Sequence, residues 1–139
     1  MLFLHFQIGD GAFALAADRI VEILPLVELK QERHAPEEIA GSFDYRGRFI
    51  PVIDLCALEL GRPSRRRLST RIIMVRLPED ESMVIGLIAE NATETLRLEP
   101  ADFAPFAPGP RGLVQRVDLE SLLPARLRSF ARGLLVDSQ

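Results

Sequence analysis

The chain opens on a two-residue period: Leu2, Leu4, Phe6 and Ile8 alternate with Phe3, His5 and Gln7, and Gly9-Asp10-Gly11 then leads into Ala12 to Ala16. Alternation broken by a glycine turn predicts a β-hairpin. Asp18 stands where it can cap a short helix through Leu24, with Ile20, Ile23 and Leu24 inward and Pro25 ending it. Val27 to Arg33 reads as a polar strand-like stretch, and Pro36-Glu37-Glu38-Ile39 as a turn that can begin one helical turn. At Gly47 two apolar runs meet, so Tyr45 to Arg48 reads as a hairpin tip that holds Arg46 and Arg48 toward solvent. The second run, Phe49 to Leu55, is apolar on both faces, as in a strand packed on two sides. Pro51 has no N–H for a ladder and argues for an edge strand or a bulge. Cys56 to Leu60 predicts a short helix closed by Gly61.

Farther along, Thr70 to Leu77, Met83 to Ala89 and Ala92 to Leu98 are strand candidates that read as a meander. Pro100 to Gly112 holds four of the ten prolines and predicts an irregular surface crossing. Leu113 to Leu119 is the last expected strand, and Ala125 to Arg132 a terminal helix stopped by Gly133. Short strands at this spacing point to a mostly-β barrel architecture.

Composition narrows the class. With 139 residues and 47% hydrophobic content, the chain suits one unit, residues 1–139, folded compactly or as two intimately packed subdomains. The start, MLFLHFQIGDG, is too short and too alternating for a signal peptide or membrane span, so a cytoplasmic location is expected. A single cysteine, Cys56, excludes an internal disulfide. The net charge of −3 gives no general attraction to nucleic acid or to an anionic membrane.

Candidate chemistry is sparse. Cys56 with His5 or His34 would make a small cysteine enzyme, yet no third orienting group or nucleophile elbow accompanies them, and apolar neighbours favour a buried thiol. Two histidines and one cysteine at these separations fit no common zinc spacing, so no metal or other cofactor is expected. No glycine loop of the phosphate-cradling kind occurs. Arg62 to Arg67, with four arginines in six residues, is the basic cluster on which a nucleic-acid-binding barrel would rest. It lacks interleaved aromatics and reads instead as a solvated loop that can steer an acidic partner. Asp54 lies in an apolar strand, where a buried carboxylate must accept hydrogen bonds or pair with a cation. Its expected role is to tie the strand end to backbone donors or to an arginine.

The segment from Gly41 to Leu55, GSFDYRGRFIPVIDL, resembles the signature of the CheW family of chemotaxis coupling proteins, commonly G-v-i-n-l-R-G-x-v-i-P-V-i-D-L. Gly41, Arg46, Gly47, Pro51, Val52, Asp54 and Leu55 match, seven of fifteen positions. Phe6 to Gly9, IVEIL at Ile20 to Leu24, Ala35-Pro36, and GLIAEN at Gly86 to Asn91 follow in the family's order. Taken alone, Arg46 would be a solubilising turn residue; the resemblance makes it a binding residue. It implies a non-catalytic adaptor that links the cytoplasmic tip of a chemoreceptor to a CheA-type histidine kinase. The implied receptor-facing residues are Glu22, Arg46 and Gly47, and the kinase-facing ones Ile50, Val52 and the neighbouring strand edge. Gly41, Pro51 and Asp54 are the structural candidates.

The implied fold is two small packed SH3-like β-barrels with short helices. Phe106 to Arg111 is mostly proline and glycine where the family has chain for a further hairpin, so the second barrel is expected to be shortened or open, with a possible self-association edge. Asp44-Tyr45 replaces the family's n-l, and Asp44 is placed to pair with Arg46. That departure points to a dedicated receptor of an accessory pathway such as surface sensing or biofilm formation. With Lys30 as the only lysine, and without an H-box or nucleotide-binding region, the chain is neither a phosphoacceptor receiver nor a kinase.

Overall fold

The computed structural model describes residues 1–103, 106–110 and 112–137. β1 (Leu2–Ile8) and β2 (Gly11–Ala16) form the opening hairpin, followed by β3 (Ile20–Pro25), β4 (Ile39–Tyr45), β5 (Arg48–Asp54) and α1 (Leu55–Leu60). β6 (Arg71–Arg76), β7 (Val84–Arg97), β8 (Ala107–Gly109), β9 (Gly112–Val117), α2 (Leu119–Leu122) and α3 (Ala125–Asp137) complete the chain.

β7 organises everything else. Its first half pairs antiparallel with β6 and, from Gly86 to Ile88, parallel with β5, giving the order β3-β6-β7-β5-β4. Its second half pairs with β1, giving β7-β1-β2-β9-β8, in which β2 and β9 are parallel. A one-residue bridge ties the chain beyond β3 to β4: Lys30 and Ser42 exchange both backbone hydrogen bonds at 2.8 Å. Gly41 permits that approach, because a Cβ there would stand 2.5 Å from the Lys30 carbonyl oxygen. Among the described residues no ladder joins β8 back to β7, so the second barrel stays open, as its short proline-rich segment predicts.

The two-residue period explains why these strands are apolar on both faces. Ile50, Val52, Ile72, Met74, Val84 and Ile88 fill the first barrel. Phe3, Ala14, Phe103, Ala107 and Val114 fill the second, with Phe3 and Phe103 edge to face at 5.0 Å. The alternate residues of the same strands, among them Leu4, Phe6, Ile53, Ile73 and Val75, meet Leu127 and Ala131 of α3 in a third core between the barrels. A strand with a core on each side has no polar face to display.

Several expectations are corrected. Asp18 to Leu24 is not a helix: a single 3₁₀ turn, Ala17–Arg19, precedes β3, because pairing with β6 overrides the weak local helix signal. Val27 to Arg33 forms no strand beyond the Lys30 bridge. At Pro36 the chain makes one turn, closed by Ile39 N donating to Pro36 O at 3.0 Å. Pro51 does not mark an edge; β5 has β4 on one side and, from Val52 onward, β7 on the other, so the proline stands just before the second ladder begins. The expected strands at Met83 to Ala89 and Ala92 to Leu98 are one strand, bent where Asn91 takes φ 48° opposite a register shift in β1. Pro100 to Gly112 is not wholly irregular, since it contains a 3₁₀ turn and β8; Ala104, Pro105 and Arg111 lie outside the described residues. The last strand ends at Val117, Leu119 opens α2, and α3 runs through an exposed Gly133 to Asp137 because Leu127, Phe130, Ala131 and Leu135 anchor it.

Candidate functional site at the Arg46 hairpin

Tyr45 and Arg48 are the last paired residues of β4 and β5, leaving Arg46-Gly47 as a two-residue loop. Both loop residues have positive φ, 52° and 83°, the signature of a type I′ turn, whose twist matches that of the strands it joins. Space is not the constraint at Gly47, where an added Cβ would meet nothing within 4 Å. The backbone angle is. Asp44 Oδ1 accepts a hydrogen bond from Gly47 N at 2.7 Å and so locks the turn. Its carboxylate serves the backbone, which replaces the expected pairing with Arg46.

Arg46 is exposed, and its guanidinium carbon lies 5.0 Å from the centroid of the Tyr45 ring, within cation–π range. Tyr45 in turn donates its hydroxyl proton to Glu22 on β3, across two barrel strands distant in sequence. Glu22, Tyr45 and Arg46 thus form a continuous polar array at one end of the first barrel. The structure brings together the three receptor-facing candidates, Glu22, Arg46 and Gly47, and adds Tyr45 between them. The sequence showed that phenol beside Arg46 without showing its link to Glu22.

The kinase-facing candidates sit elsewhere. Ile50 and Val52 are fully buried inside the first barrel, so their side chains offer no surface to a partner. Their place in the sequence is legible, but both faces of β5 are covered, and β4, which pairs along it, is itself bridged at Ser42 by Lys30.

At the far end of β5, Asp54 caps α1 by accepting from Cys56 N at 3.0 Å and Ala57 N at 3.3 Å. The same carboxylate accepts from Ser64 N at 2.9 Å and Ser64 Oγ at 2.6 Å, which ties the Arg62–Arg67 loop to the strand end. Glu90 of β7 accepts from Arg65 N at 2.6 Å and faces the Arg62 guanidinium at 3.5 Å. This loop is clamped, not loose. Sequence reasoning missed the Glu90 half of the clamp; the signal was a carboxylate ending the apolar run from Val84 to Ala89.

Cys56 is fully buried, and burial pushes its thiol upward in pKa, so a thiolate nucleophile is disfavoured. His34 sits in an exposed turn and His5 within β1. Among the described residues no cluster of His, Cys, Asp and Glu could hold a metal ion, and no helix is long and apolar enough to cross a membrane.

Comparison with known proteins agrees with this geometry. The family model for the CheW-like domain matches residues 2–123. The chain is 28% identical to the chemotaxis protein CheW of Helicobacter pylori over 104 residues, 74% of this chain and 61% of that protein. It is 27% identical to the chemotaxis protein CheW of Rhizobium meliloti over 94% of this chain and 74% of that protein. Among solved structures, the scaffolding protein TtCheW of Thermoanaerobacter tengcongensis superposes with a TM-score of 0.75 at 21% identity, covering 89% of this chain and 88% of that one. Two β-barrels sharing a strand, an arginine-glycine hairpin at one end, and a family match over nearly the whole length lead to one assignment: the chain belongs to the CheW-like domain family.

Proposed function

We propose that this protein is a non-catalytic adaptor of a chemosensory pathway, holding the cytoplasmic tip of a chemoreceptor against the regulatory domain of a CheA-type histidine kinase. The observation that carries the reading is the Glu22–Tyr45–Arg46 array, polar, exposed at Arg46, and fixed by a locked type I′ turn. A charged helical-bundle tip suits such a surface, because a preorganised guanidinium binds without first paying to order itself. Glu22, Arg46 and Gly47 are the receptor-facing residues of this proposal. The kinase-facing side is the strand edge neighbouring Ile50 and Val52, which support it from inside. Signal transfer then follows from contacts that differ between two receptor states. The protein works in the cytoplasm, attached to receptor complexes at the inner membrane, and Asp44-Tyr45 beside Arg46 fits a dedicated receptor of a surface-sensing or other accessory pathway.

Arg46→Ala tests this. Its folding stability stays within the range of ordinary surface changes, about 0.5 kcal/mol, while receptor binding weakens by about 2 kcal/mol, near thirtyfold. Unchanged receptor affinity in a titration with the receptor's cytoplasmic fragment removes Arg46 from the site.

A further inference from the structure

We infer that Arg48 is a positioning residue of the receptor-facing site: its hydrogen bond to the β6–β7 loop fixes where the Arg46 hairpin stands, and so sets how tightly Arg46 is used. The inference rests on the receptor-facing reading of Arg46 and adds to it a guanidinium that is spent inside the protein. The outer part of the hairpin is the ladder Phe43↔Ile50, Asp44↔Phe49, Tyr45↔Arg48. The Lys30 bridge reaches β4 at Ser42 and no farther, and β5 joins β7 only from Val52 onward. Among the described residues no third strand therefore flanks these three pairs. Pro51, which has no N–H, stands where the ladder with β7 would otherwise continue. A two-stranded ribbon is marginal by itself and twists more than a wider sheet. Phe43 and Ile50 root its base in the first barrel. Asp44 fixes the turn internally, through Gly47, but does not fix the tip against the rest of the molecule.

Each strand of the ribbon instead has one side-chain stay, on either side of Arg46. On β4, Tyr45 donates to Glu22 of β3. On β5, Arg48 Nη2 donates to the Ser82 carbonyl oxygen at 3.2 Å. The parallel register explains why these two meet: Val52 stands opposite Gly86, and four residues back along each strand brings Arg48 to Ser82. The guanidinium thus does with a side chain what the missing backbone ladder cannot.

The acceptor is itself held. Asp80 Oδ1 accepts from Ser82 N at 3.0 Å and from Ser82 Oγ at 2.6 Å. Leu77 N donates to Met83 O at 2.9 Å and Met83 N to Asp80 O at 3.0 Å, which closes the loop on itself. Glu79 meets Arg128 of α3 at 2.5 Å, so the loop is also tied to the terminal helix. The hairpin's two arginines have divided roles: Arg48 turns to this loop, while Arg46 lies over Tyr45 and enters no ion pair among the described residues. A tip free to swing would have to be ordered when Arg46 binds, and that ordering would be subtracted from the affinity.

The test is a double-mutant cycle, titrating the receptor's cytoplasmic fragment with the full chain as Arg48→Ala, Arg46→Ala and both together, alongside ¹⁵N relaxation of the chain without receptor. Arg48→Ala is expected to weaken binding about fivefold, less than the thirtyfold or so of Arg46→Ala, and to add nothing in the Arg46→Ala background. Arg48→Lys, which keeps a donor, restores most of the affinity. Asp80→Ala, which removes the two bonds holding Ser82 and leaves Arg48 in place, weakens binding in the same direction. In the free chain, the order parameters of the Arg46 and Gly47 amides fall from about 0.85 toward about 0.6 in Arg48→Ala. If that variant melts lower, Arg48→Met, which keeps the aliphatic stem, is read in its place. A loss from Arg48→Ala that persists in full in the Arg46→Ala background would show direct receptor contact and overturn the inference. So would native affinity in Arg48→Ala where Arg46→Ala binds weakly, or unchanged order parameters. If Arg46→Ala itself binds like the native chain, the receptor-facing reading fails, and the order parameters alone then decide whether Arg48 holds the hairpin.

Discussion

Arg46 occupies a left-handed backbone conformation that an L-residue with a long side chain adopts only at a cost. The turn accepts that cost because the Asp44–Gly47 hydrogen bond and the flanking ladder hold it, and the result is a guanidinium fixed over Tyr45. Gly47→Val should therefore lower stability by about 1–2 kcal/mol, since a β-branched residue resists φ 83° even in open space. Denaturant unfolding reads that loss, and an unchanged midpoint would show that the turn tolerates a side chain. Glu90 carries a pH signature. Burial by itself raises its carboxyl, but hydrogen bonds from Arg65 N and from the Arg62 and Cys56 side chains outweigh burial and hold it below the usual carboxylate range. A depressed folded-state value means that the stabilisation is present above the ordinary carboxylate pKa, about 4.3, and is lost as pH falls through the folded value. Glu90→Gln should flatten the acid limb of a melting-temperature profile without abolishing it, because Glu38, Asp80 and Asp118 are shifted the same way.

Among the elements, the junction of β5 with α1 shows what one side chain can join. Asp54 satisfies the first-turn amides of α1 and both donors of Ser64, so strand, helix and loop meet at one carboxylate. Removing it leaves several donors without a buried acceptor. Asp54→Ala is expected to cost about 2–4 kcal/mol and to free the Arg62–Arg67 loop, which hydrogen exchange at Ser64 and Arg65 would register as faster amide exchange. Protection equal to the native chain's would mean that Glu90 alone holds the loop. β3 illustrates the limit of local reading: an aspartate followed by apolar residues at helical spacing is also what a strand with one bulge looks like, and the choice is made by β6 alongside it.

For the whole molecule, the decisive feature is a 14-residue strand that belongs to both barrels and a third core between them. Neither half can lose its side of β7 without uncovering Ile53, Ile73 and Leu127, so we expect both barrels to unfold in a single transition. Calorimetry with equal calorimetric and van't Hoff enthalpies supports this, whereas two resolved peaks would show two independent units. The hairpins, the exposed Arg46-Gly47 tip and α1 with its glycine stop were legible in the residues, because each depends on a local period, a turn angle or a cap. The meeting of Glu22 with Tyr45, the burial of Ile50 and Val52, the clamping of the arginine loop by Asp54 and Glu90, and the fusion of two apparent strands into β7 were decided only by the tertiary structure. Those depend on which strand lies beside which. A sequence alternating apolar residues on both faces says that both will be covered, and leaves open by what.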